Sequence, residues 1–278
     1  MFIPFGFMAT QAGGGGDADA TAYIDEVIAA GGTLSAGDQT AIDDLFVGLK
    51  ADSIYTKLKL MYPYMGNIAA STKINAINPT TSIEQLTYVN GFTHTSSGIT
   101  NSSSSPYGFA NIGVAPSDML SSINDASWGI STTATSNSNG GFMIGNFASS
   151  VGTGIRFQAY RDNGPTSDFY AGFGSPVFAT TSSTGYGDGF VWIGTRTSST
   201  SLILYKDGVN VNSNTSTNSG TLNTNNFQFF NADNQSDVLL SNKTFSTWEF
   251  MFVGEGLDST QASNMSTRIN TFLTAIGR

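Results

Sequence analysis

From Ile68 onward the apolar residues of this chain recur at every second position, and turn-forming residues interrupt them about every ten. An alternating pattern buries one face of a strand and wets the other, and many short strands at even spacing specify a sandwich or barrel. Ile155, Phe157 and Ala159 alternate with Arg156, Gln158 and Tyr160, which predicts a half-buried strand. Phe190-Val191-Trp192-Ile193 is a continuous apolar run and predicts a central strand. The sharpest element is Ser201 to Asn212, whose Asp207-Gly208 supplies the positive φ angles of a two-residue hairpin turn. Such a turn pairs Lys206 with Val209 and Leu204 with Val211, placing Leu202, Leu204, Val209 and Val211 on one face. Trp248, Phe250 and Phe252 alternate with Thr247, Glu249 and Met251 in a last long strand.

Before Ile68 the period is helical. Tyr23, Ile24, Val27 and Ile28 share a helix face that Gly31-Gly32 closes. Ser35 with Asp38 forms a capping box ahead of the stripe Ile42, Leu45, Phe46 and Leu49. A third helical piece is expected over Ile54 to Tyr62, stopped by Pro63. At the other end Asp258 and Gln261 cap a helix with the stripe Ala262, Met265, Ile269, Phe272, Leu273 and Ile276, ended by Gly277. The expected organisation is an extended tail and glycine-rich linker over 1–18, a small helical module over 19–66, and an antiparallel two-sheet jelly-roll sandwich with its C-terminal helix over 67–278.

Charge narrows the partners. Only 11% of the 278 residues are Asp, Glu, Lys or Arg, the net charge is −9, and no Lys or Arg occurs between Lys73 and Arg156. Nucleic acid needs clustered cations, as does an anionic membrane surface, so neither is an expected partner. Cysteine is absent, which removes disulfides, thiolate catalysis and zinc–thiolate sites. Met1 to Met8 lacks a basic n-region and is interrupted by Pro4 and Gly6; it reads as a loose terminus or as a docking peptide that buries Phe2, Ile3, Phe5 and Phe7 in a partner subunit. It is far too short to insert into a bilayer.

Residues for chemistry are sparse. Glycan hydrolysis needs two carboxylates about 5–10 Å apart. Glu249 and Glu255 are six residues apart, and the second falls in a turn. His94 is the one histidine and reads as a solvated loop or strand residue. Calcium takes only oxygen ligands, and Asp162-Asn163, Asp188 and Asp233-Asn234-Asp237 are acidic loop clusters. Asp233 and Asp237 are the calcium candidates, set against a plain turn-forming role; no other cofactor is expected. Gly185 to Gly189 lacks the lysine and helix of a phosphate loop and reads as a turn. Tyr170, Tyr186 and Asp188 are candidate ligand contacts, against a packing role for such tyrosines.

Leu202 to Val211, LILYKDGVNV, resembles the late hairpin of concanavalin A-like lectin/glucanase (laminin-G-like) domains. Phe250 to Asp258, with a helix closing on Ala275-Ile276-Gly277-Arg278, resembles the final strand and helix of that domain in tailed-bacteriophage virion proteins, and Leu49 to Gly66 resembles the module that precedes it there. The resemblance implies a jelly roll on a virus particle (head fibre, decoration protein, tail fibre or tail appendage), oligomeric, held by other virion proteins, and displayed for host-glycan adhesion. The chain lacks the E-x-D-x-x-E strand of the glucanase branch, which implies a non-enzymatic role. The competing reading is a secreted bacterial carbohydrate-binding module or adhesin.

Overall fold

The structure, a computed structural model, describes residues 16–101, 108–133, 141–147, 156–161, 168–173, 178–182, 190–216, 221–222, 224–230 and 247–278. Two antiparallel sheets dominate it, the fold class that the alternation requires. The first runs β13 (Val209–Asn214), β12 (Ser201–Lys206), β11 (Phe190–Ser198), β6 (Ala126–Thr133), β15 (Thr247–Gly254), β4 (Gly98–Asn101) and β3 (Phe92–Thr95). β1 (Leu58–Tyr62) also pairs with β15, through the half that β4 leaves free. The second sheet runs β10 (Phe178–Ser182), β9 (Asp168–Phe173), β8 (Arg156–Arg161), β7 (Gly141–Phe147), β14 (Gln228–Phe229), β5 (Phe109–Asn111) and β2 (Thr87–Val89).

The central strands of the first sheet, β11, β6 and β15, are buried on both faces, which explains their continuous apolar runs. Trp128, Ile130, Trp192, Leu204, Trp248 and Met251 face the second sheet, meeting Ala110, Ile144 and Phe229. Val191, Ile193, Phe250 and Phe252 face a helical layer built from α1 (Ala18–Ala29), α2 (Ala36–Ala51) and α5 (Ser259–Ala275), the one-turn helices α3 (Ala69–Thr72) and α4 (Pro116–Met119) lying in connections between strands. Phe46, Leu49, Met265 and Phe272 meet the sheet there. Each such large side chain contributes roughly 1.5–3 kcal/mol on leaving water. The caps of the second and last helices are those expected: Ser35 Oγ accepts from Asp38 N at 3.1 Å, and Asp258 Oδ1 accepts from Gln261 N at 2.8 Å.

Three local expectations are corrected. Ile54 to Tyr62 is not a helix but a 3-10 turn, Tyr55–Lys57, followed by β1. With both sheet faces covered, β1 shows no alternation to separate it from a helical stripe. Trp248 and Phe250 do not share a face, because the β15–β6 register shifts between them. The bulge sends Trp248 to the inter-sheet core and Phe250 to the helices. A second shift, between Leu204 and Tyr205, pairs Leu204 with Asn212 instead of Val211. Leu202 and Leu204 are buried while Val209 is 65% exposed, so the four do not form one apolar face. The turn itself is as expected, with φ of 47° at Asp207 and 77° at Gly208.

Candidate functional site

The described side chains best suited to a ligand gather where β11 begins and β12 ends. Lys206 lies opposite Trp192 in the β11–β12 register. Its ammonium sits 3.5 Å from the Phe190 ring centroid and 5.5 Å from that of Trp192. Phe190 is half-buried at the margin of the inter-sheet core, whereas Trp192 is nearly enclosed. Lys206 forms no ion pair among the described residues. The result is an aromatic face capped by a cation whose charge no carboxylate balances among the described residues.

The adjoining turn holds this lysine in place. Asp207 N donates to Val191 O at 2.8 Å, and Asp207 Oδ1 accepts from Val191 N at 2.9 Å. Asn270 Nδ2 of α5 reaches the same oxygen at 3.4 Å. A Cβ at Gly208 would lie 3.0 Å from Ser263 Cα, so the turn rests against α5. Sheet and helix together therefore fix the backbone that presents Lys206. One sequence signal could have found it: Lys206 continues the Leu202, Leu204 spacing and so points a charge into an apolar row.

Tyr170 lies in β9, opposite Tyr160 of β8 and Thr180 of β10. Tyr186 and Asp188 lie outside the described residues, in the segment that leads directly into Phe190. Asp162, Asn163, Asp233, Asp237, Phe2, Ile3, Phe5 and Phe7 also lie outside the described residues. Among the described residues no group of three or more His, Asp or Glu side chains could hold a metal ion, and no helix is long and apolar enough to cross a membrane.

Glu249 in β15 and Glu255, just past its end, do not form a catalytic pair. Six residues of extended chain separate them by roughly 20 Å, well beyond the spacing glycan hydrolysis uses. Glu249 is 2% exposed and accepts from Ser131 Oγ at 3.0 Å; burial pushes its carboxyl up, opposed by the Ser131 hydrogen bond and the Arg278 charge. Glu255 pairs with Lys59 at 2.9 Å. His94 is in β3, half-buried, with Nδ1 at 2.9 Å from Thr72 Oγ1 and its ring against Tyr88. Burial lowers its pKa, and its described contacts are those of a packed edge-strand residue.

No protein-family model matches the sequence, and no curated protein matches it. Solved structures do match. One is botulinum neurotoxin type C, whose cell entry depends on interaction with two ganglioside molecules: TM-score 0.54, 11% identity, 79% of this chain and 53% of that one. Another is the binding domain of botulinum neurotoxin serotype D, with TM-score 0.52, 13% identity, and 77% and 52% covered. A third is the Trypanosoma rangeli sialidase in complex with sialic acid, with TM-score 0.51, 9% identity, and 81% and 38% covered. The chain thus spans about half the length of the neurotoxin structures and less of the sialidase. At these identities the likeness is one of fold alone: a two-sheet β-sandwich.

Proposed function

We propose that the sandwich is a non-enzymatic glycan-binding module that prefers acidic sugars. The Lys206 ammonium over Phe190, without an ion-pair partner among the described residues, carries this reading. An aromatic face packs against the apolar side of a pyranose ring, and an unbalanced ammonium gains a charge-assisted hydrogen bond from a sugar carboxylate. The fold shared with neurotoxin binding domains supports the class of ligand, by analogy. The test is an oligosaccharide array of sialylated and neutral glycans probed with the parent, Phe190→Ala and Lys206→Ala proteins. Acidic glycans are expected to bind the parent. Lys206→Ala should lose at least tenfold in affinity for them, the equivalent of about 1.4 kcal/mol, with the melting temperature little changed. A parent protein that binds no array member, or variants that bind as the parent does, would overturn the reading.

The wider setting we propose is a virion surface. The phenylalanine-bearing tail anchors an oligomer to other virion proteins, and the sandwich is displayed toward host glycan. The uncharged polar composition and the quoted sequence resemblances support this setting over a free adhesin. Light scattering of the full chain and of a version lacking residues 1–15 tests it. That truncation leaves α1, α2 and β1 in place on the first sheet, whereas a cut at residue 66 would strip its helical cover. The full chain should be multimeric and the truncation a folded monomer; a monomeric full chain sinks the self-assembly part of the proposal.

A further inference from the structure

At the far end of β11 from Phe190, six residues and roughly 20 Å away, Arg196 is 0% exposed. Its register neighbours are Ala126 on β6 and Leu202 on β12, both also fully buried, so its side chain leaves the sheet from an apolar row. Nε donates to Asn124 Oδ1 at 2.9 Å. Nη2 donates to the Ser199 carbonyl and reaches the Ser216 carbonyl at 3.5 Å. Nη1 is buried and has no hydrogen-bond partner among the described residues. Among the described residues every acceptor that the guanidinium reaches is neutral. The neighbouring Asp125 forms no ion pair with it, and its Oδ1 accepts from Gly256 N at 2.8 Å.

A buried charge without a counter-charge is among the most costly arrangements in a protein. Lysine or histidine could escape by losing its proton; a guanidinium does not. Water at Nη1 would satisfy a donor and leave the charge unbalanced. We propose that Arg196 binds a small monovalent anion of halide size through Nη1, at the rim of the sandwich. The size follows from enclosure: a guanidinium with no exposed surface is out of reach of a glycan carboxylate on a bulky ring. The site is separate from Lys206 and stands whether or not that lysine binds sugar.

The experiment follows thermal unfolding of the full chain at constant ionic strength while sodium gluconate is exchanged for sodium chloride or bromide. Gluconate is too large to enter. An anion that binds only the folded state stabilises with the logarithm of its concentration, so above its Kd each tenfold rise in halide should raise Tm by about 2–3 °C. Arg196→Met should remove that dependence. Because this variant leaves Asn124 and two carbonyls without their donor, Asn124→Asp serves as the second test. It supplies a carboxylate to Nε, so it should lose the halide dependence and melt above the parent in gluconate. Bromide should give an anomalous diffraction peak within hydrogen-bond distance of Nη1. A parent Tm indifferent to halide, or a halide increment that persists in both variants, would overturn the proposal.

Discussion

Replacing Asn75 by alanine is expected to destabilise the protein by about 3–5 kcal/mol, through the buried backbone groups it leaves unpaired. β1 pairs with β15 along one edge and needs partners along the other. Asn75, 0% exposed, supplies most of them. Its Oδ1 accepts from Met61 N at 2.9 Å and from Ile77 N at 3.2 Å. Its Nδ2 donates to Lys59 O at 3.1 Å and to Glu84 Oε2 at 2.7 Å. Ala76 N completes the edge by donating to Met61 O at 2.7 Å. One amide side chain thus stands in for a strand. Urea unfolding measures the loss, and a change under 1 kcal/mol would refute this account of the edge. Asn75→Asp separates the two halves of the amide. It keeps the acceptor for Met61 and Ile77 but sets an oxygen against Lys59 O and the Glu84 carboxylate. Its deficit should be largest at neutral pH and above and shrink as the pH falls, because burial beside a second carboxylate favours a carboxyl that keeps a proton to donate.

The reason Asn75 could not be found in the sequence is the reason β1 could not. Both belong to an edge defined by residues close in space, and neither carries a periodic mark. What the sequence does reveal is local. The Asp207-Gly208 turn, the capping pairs Ser35/Asp38 and Asp258/Gln261, and the stripes of α2 and α5 each depend on residues within a few positions, and each lies where the pattern put it. The bulges at Trp248/Phe250 and Leu204/Tyr205 were not legible, because a bulge adds one residue to one strand and only the partner strand reveals the miscount. For the ligand site, the tyrosines and Asp188 were chosen by residue type, and type does not report where a side chain stands. Lys206 leaves a trace in the sequence, as a charge that continues the Leu202, Leu204 spacing, whereas Arg196 emerges only when the register sets it between Ala126 and Leu202.

Gly129→Ala should cost about 3 kcal/mol, and the loss should be recoverable at a second site. Gly129 lies opposite Ile193 on one side and Phe252 on the other. A Cβ there would stand 2.0 Å from Phe252 Cε1 and 2.7 Å from Cζ, so the ring occupies the space a side chain would take. The ring cannot easily swing outward, because Phe252 belongs to the cluster packed beneath the helices. A methyl at 129 must therefore displace the ring into the helical layer or spread β6 from β15, the pair that holds the middle of the sheet. Phe252→Leu removes the part of the ring that collides, at the cost of a partly emptied space. The double variant Gly129→Ala/Phe252→Leu puts the new methyl into that space. Its destabilisation should fall short of the sum of the single losses by at least about 1 kcal/mol in urea unfolding, the range in which residues in contact couple. Additive losses would mean that the glycine is required by the β6 backbone and not by the ring that lies across it.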